Sequence, residues 1–194
     1  MRDTTPAPFA APSAAFLADL GECDHCVQFY ESDAVFLDAL ESFAVGAIVQ
    51  GEAVIVIATA AHRTALEARL LRRGVDLGTA RARDQFIALD AGETLQRFMV
   101  HSWPDEALFE QLVTGLLARA RIHHRKVRAF GEMVALMWAA GHCEATVRLE
   151  QMWTRLCERE TFSMFCAYPK TGFAEDVMDR LEQVCSCHSK VYIL

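Results

Sequence analysis

The sequence predicts an open α/β domain with a mainly parallel sheet of five or more strands and helices on both faces. Three observations carry that prediction. The run Ala53-Val54-Ile55-Val56-Ile57-Ala58 is short, continuous and β-branched, the pattern of a strand buried on both sides. A helical pattern follows at once, capped by Thr59 and ended by Gly74, which makes one strand–helix unit. Units of this form then recur along the chain, and strands alternating with helices of this length point to parallel crossovers.

Taken in order, residues 1 to 22 show no sustained period and are expected to form a disordered leader ahead of one domain, 23–194. CVQFY, 26–30, is the first strand. Ser32 or Asp33 caps the next helix, whose apolar residues Val35, Phe36, Leu37, Leu40, Phe43 and Ala44 keep a helical period until Gly46 and Gly51 break it. The buried strand 53–58 and its helix come next, the leucines at 66, 70 and 71 sharing a face. QFIALDA, 85–91, is a third strand, followed by a short helix from Glu93 to His101. Trp103-Pro104-Asp105 starts a longer helix, from Glu106 to about His124. Residues 127–134 read as a fourth strand bending at Gly131. Two helical segments, roughly 134–140 and 142–159, are separated by Gly141, and 162–169 is a fifth strand stopped by Pro169. A last helix covers about 173–186, and KVYIL can add an edge strand.

Composition narrows the functional classes. The net charge of -7, with basic residues scattered through helical stretches, argues against a direct nucleic-acid or anionic-membrane surface. Apolar runs such as AVIVIATAA fall short of the roughly 20 residues that span a bilayer. The N-terminus has no basic segment leading into an apolar one, so it does not resemble a signal peptide, and a cytoplasmic location is expected. Seven cysteines is an odd number, and in a reducing compartment most are expected to be buried free thiols.

In open α/β sheets ligands bind beyond the carboxyl ends of the strands. Those ends carry Tyr30 and Glu31, then Thr59 and His62, Asp90, Glu132 and Met133, and Tyr168. Tyr30, Glu31, Glu132, Tyr168 and His62 can bond a ligand and wall it with aromatic rings. The tyrosines can equally roof the core, and Glu31 can serve a helix N-terminus. A phosphate loop fits poorly: Ala58-Thr59-Ala60-Ala61-His62-Arg63-Thr64 lacks the glycines and lysine that let a backbone cradle phosphate. No GxSxG elbow occurs either, and Cys166 in its strand has no local partner to lower its pKa, so no enzyme is expected. A zinc or redox site is the alternative. Cys23 and Cys26 at CxxC spacing, with Cys185, Cys187 and His188 near the other end, supply enough donors for one if the two ends meet in space.

HCVQFYESD, GEAVIVIATAAHRTALEARLLRRGVD, FMVHSWPD, VRAFGEMVALMWAAG, RLEQMWTRL, FSMFCAYP and the terminal CHSKV resemble, in this order over about residues 24–191, the MEDS domain, the methanogen/methylotroph and dichloromethane-regulator sensory domain. The resemblance implies a RecA-like topology without a working phosphate loop, and a bacterial or archaeal sensory module found fused to histidine kinases, anti-sigma kinase domains or DNA-binding regulators. It further implies perception of small organic molecules such as hydrocarbon derivatives. Matched by position, the family's polar residues fall on His25, Tyr30, Glu31, His62, Glu132, Cys166, Tyr168 and His188, which become the ligand-pocket candidates. The expectation is therefore a stand-alone sensory domain that requires no cofactor, binds a small ligand and signals to a protein partner such as a histidine kinase or transcription regulator. A homo-oligomer is compatible with this reading. Ligand would favour one arrangement of the last helix and tail.

Overall fold

The computed structural model describes residues 20–21, 23–123, 125–170 and 178–193. Residues 1–19 and 22 of the expected leader, the start of the last helix and His124 therefore lie outside the described residues. Six strands, β1 (His25–Tyr30), β2 (Ala53–Ala58), β3 (Phe86–Asp90), β6 (Val127–Gly131), β7 (Ser163–Pro169) and β8 (Lys190–Ile193), form one sheet in the order β3-β2-β6-β7-β1-β8. Every pairing in it is parallel. Between them run α1 (Asp33–Val49), α2 (Ala60–Arg72), α3 (Leu77–Ala82), α4 (Ala91–Gln96), α5 (Glu106–Ala120), α6 (Met133–Ala139), α7 (Cys143–Glu160) and α8 (Met178–Ser186).

Strand side chains alternate between two cores, as a sheet covered on both faces requires. Cys26, Tyr30, Val54, Val56 and Ala58 face one core with Phe36, Leu40 and Phe43 of α1, Leu66 and Leu70 of α2, and Leu77 of α3. Val27, Phe29, Ile55, Ile57, Cys166 and Tyr168 face the other, against α4 to α7 and Val184 of α8. The apolar run of β2 is thus divided between two hydrophobic layers, which is why it shows no alternation.

Caps fix where the helices begin. Ser32, Thr59, Asp76, Asp90 and Asp105 each accept a backbone N–H from the first turn of α1, α2, α3, α4 and α5 in turn. Beyond the expected elements, the structure adds α3, one and a half turns after the Val75-Asp76 corner. It also adds a small antiparallel pair, β4 (Met99–Val100) and β5 (Trp103–Pro104). The pair turns through His101 and Ser102 at φ 50 and 62, left-handed values that neither residue advertises in sequence. The strand expected over 127–134 stops at Gly131, because Met133-Val134-Ala135-Leu136-Met137-Trp138 is wound into α6. A short apolar run has no period that separates strand from buried helix. No helix among the described residues is long and apolar enough to cross a membrane.

Candidate functional site

The carboxyl edge of the sheet assembles one polar group at the gap between β2 and β6. Helix α2 leaves β2 toward one face and α6 leaves β6 toward the other, and such a divergence is where open α/β sheets place a ligand. Glu132, the residue after β6, lies there with only 6% exposure. Its Oε2 accepts the Thr59 N–H at 2.7 Å, and its Oε1 lies 2.8 Å from His62 Nδ1. A protein carboxylate therefore fills the amino end of α2, where the sequence left open a degenerate phosphate loop. The same hydrogen bond raises the pKa of His62 above 6.5, against the opposing effect of partial burial.

Asp33, at the start of α1, extends the group: its Oδ2 is 3.8 Å from His62 Nε2. The Phe36 ring meets the imidazole edge-on at 4.9 Å and stacks on Tyr30 at 4.9 Å. Tyr30 closes β1, and its phenol is pushed up to about 12 by burial, then by the charges of Glu132 and Asp33. Glu31 stands apart on the surface, where Lys170 at the end of β7 donates to it at 2.9 Å. Arg63 ties the same edge to the next strand, donating to Asp90 Oδ2 at 2.9 Å and to the Ala58 carbonyl.

The other four candidates gather elsewhere, inside the core between the sheet and α7. His25 begins β1, at the opposite end of that strand from Tyr30, and is 3% exposed. Cys166 and Tyr168 project from β7 to the same face, and His188 comes from the turn between α8 and β8. Their common partner is Glu150 of α7, fully buried. Tyr168 donates to Glu150 Oε1 at 2.5 Å and the Cys166 thiol to Oε2 at 3.4 Å. Nε2 of His25 and Nε2 of His188 each lie 3.4 Å from that same Oε2. The rings of His25 and His188 are 4.0 Å apart, centroid to centroid.

Tyr168 is thus the one edge candidate that the fold relocates. Its ring stacks on Phe29 at 5.7 Å, and its hydroxyl points into the core rather than over the strand end. Burial pushes the Tyr168 phenol and the Cys166 thiol well up, and the Glu150 charge adds to both. Burial likewise opposes ionisation of Glu150, but His188 and His25 outweigh it and hold the carboxyl below its usual range. Desolvation, with the neighbouring His188, lowers the pKa of His25.

Glu150 was not among the residues singled out from sequence. A signal exists nevertheless. On α7 the buried stripe runs through Cys143, Thr146, Val147, Glu150, Trp153 and Cys157, and a carboxylate at the apolar spacing of an amphipathic helix requires a buried partner. The metal set suggested by the terminal cysteines does not assemble. Cys26 faces the α1 core, while Cys185 packs against the opposite core with α7 and α8. Among the described residues, the four groups that could hold a metal ion together are His25, Glu150, Cys166 and His188, all with ligand atoms within 4.8 Å of one another.

A search of curated proteins returns no match to this chain. Among protein-family models, that of MEDS, the MEthanogen/methylotroph, DcmR Sensory domain, matches residues 24–189, from the residue before β1 to the one before β8. That span takes in both polar groups and every helix of the sheet's two layers, and the chain therefore belongs to the MEDS family of sensory domains.

Proposed function

We propose that this sensory domain binds a small organic molecule in the crevice between the carboxyl ends of β2 and β6 and relays its presence, in the cytoplasm, to a partner such as a histidine kinase or a transcription regulator. The observation that supports this reading is the convergence of Tyr30, Asp33, His62 and Glu132 at that one crevice. Each comes from a different segment, and together they offer an aromatic wall beside hydrogen-bonding groups. A ligand that bonds His62 or Glu132 competes with the 2.8 Å contact between them, and so acts on the start of α2 and on the turn into α6. It shifts the domain only to the extent that it binds one arrangement better than the other. β1 links the crevice to the tail, because Tyr30 closes its carboxyl end and β8 pairs along its outer edge.

Calorimetry with a panel of short alcohols, aldehydes and halogenated hydrocarbons tests the assignment. At least one compound is expected to bind the unaltered protein and to lose about tenfold or more in affinity, about 1.4 kcal/mol, in His62→Ala and in Glu132→Gln. Binding that stays unchanged in both variants would place the sensor site elsewhere.

A further inference from the structure

We propose that His25, Glu150, Cys166 and His188 form a closed tetrahedral site for one divalent transition-metal ion of the zinc type, which clamps the turn between α8 and β8 onto the sheet. The inference stands on the interior cluster alone and is independent of the ligand crevice at the strand ends.

Geometry is the first support. A tetrahedral centre with metal–nitrogen and metal–oxygen bonds near 2.0–2.1 Å and a metal–sulfur bond near 2.3 Å has ligand–ligand edges of about 3.3–3.6 Å. The separations here are 3.4 Å for His25 Nε2 to Glu150 Oε2, 3.4 Å for His188 Nε2 to the same oxygen, 3.4 Å for Cys166 Sγ to it, and 3.5 Å for Cys166 Sγ to His25 Nε2. Four of the six donor–donor separations thus stand at metal-ligand spacing before any ion draws them together, and all four donors, one from each of four parts of the fold, lie within 4.8 Å of one another.

The second support is the state of the imidazoles. His25 Nδ1 lies 3.0 Å from the Cys187 carbonyl and His188 Nδ1 lies 2.6 Å from the Val184 carbonyl. A carbonyl can only accept, so both Nδ1 atoms carry their hydrogens, which leaves Nε2 of each ring, the atom turned toward the carboxylate oxygen, as the one that can offer a lone pair to a metal. His188 Nε2 is buried and makes no hydrogen bond, although its side chain is 0% exposed. Donors so placed in a dry interior suit a cation between them. A second shell is also in place: Tyr168 holds the other Glu150 oxygen at 2.5 Å, and Thr154 Oγ1 lies 3.1 Å from His25 Nδ1.

Charge is the third support. On binding, the Cys166 thiol releases its proton to solvent. A divalent ion, one carboxylate, one thiolate and two neutral imidazoles then sum to zero, which suits a site with no exposure. Mixed nitrogen, oxygen and sulfur donors favour zinc-like ions over magnesium or calcium. With four protein ligands and no open position the centre is structural rather than catalytic.

Elemental analysis and cobalt substitution decide the matter. Protein stripped with chelator is expected to take up one Zn²⁺ or Co²⁺ per chain. The Co²⁺ form should show the intense visible bands of a tetrahedral centre and a near-ultraviolet thiolate-to-metal band. Cys166→Ser should abolish the thiolate band, and His188→Ala should weaken Co²⁺ binding by about tenfold or more, whereas Cys23→Ser and Cys187→Ser should change neither. If a variant fails to fold, alkylation of the unaltered protein settles the point, since Zn²⁺ must then protect Cys166 in mild denaturant. Failure of the stripped protein to bind either ion overturns the proposal, as does a thiolate band that survives Cys166→Ser or a Cys166 that Zn²⁺ does not protect.

Discussion

His62 and Glu132 share a 2.8 Å contact at the strand ends, and that contact gives a single imidazole influence over stability. The folded-state pKa of His62 is raised, chiefly by the bond to Glu132, above the unfolded value of 6.5. A raised histidine contributes stability that is fully present below its unfolded pKa and is lost as pH rises through the folded one. The unaltered protein should therefore lose stability relative to His62→Gln on going from about pH 6 to about pH 8, measured as the difference between their urea midpoints. A difference that stays constant with pH would show that the contact does not hold the proton. At this scale the sequence was informative about identity and silent about company. His25, Tyr30, His62, Glu132, Cys166, Tyr168 and His188 could be named from the motifs, but nothing in the motifs tells which of them meet. Glu150 was missed because its partners lie in β1, in β7 and beyond α8, more than a dozen residues away in every case.

Among the elements, α7 and β7 meet at Glu150, which accepts from both Tyr168 and Cys166. Tyr168 on β7 donates to Glu150 on α7 at 2.5 Å, both side chains being fully buried. Tyr168→Phe keeps the ring against Phe29 and Trp138 and removes only the donor. The loss should be about 1.5–3 kcal/mol, the range for a hydrogen bond to a charged group, read from urea denaturation. A loss below about 0.5 kcal/mol would mean that the bond is marginal to the α7–β7 contact. The strands and long helices were legible because their signals are local: β2 is a continuous β-branched run, and the caps Ser32, Thr59 and Asp105 stand immediately before their helices. The elements that escaped are those with weak local signals. The β4–β5 pair has two residues to a strand and a turn without glycine, α3 has six residues, and α6 begins inside an apolar run that a strand could equally claim.

For the molecule as a whole, the strand order β3-β2-β6-β7-β1-β8 sets a gradient of protection. β2, β6, β7 and β1 are each paired on both sides, whereas β3 and β8 are edges, and β8 is half exposed. Amide exchange should be slowest in β6 and β7 and faster by about an order of magnitude or more in β8. Equal protection across β7 and β8 would contradict the tail being the more readily released element. The same order explains how one list of candidates became two sites. The sequence by itself determined the α/β class, the parallel sheet, most helix boundaries and the family, because each rests on periodicity, caps or contiguous motifs within a few turns of chain. Tertiary structure decided which face each strand residue serves and which segments lie side by side. Residues with odd and even numbers on β1 and β7 are sent to opposite cores, and parallel crossovers bring residue 25 beside residues 150, 166 and 188. Long-range pairing of that kind leaves no mark in any short window of sequence, so the separation of a strand-end crevice from an interior centre on Glu150 could only come from the fold.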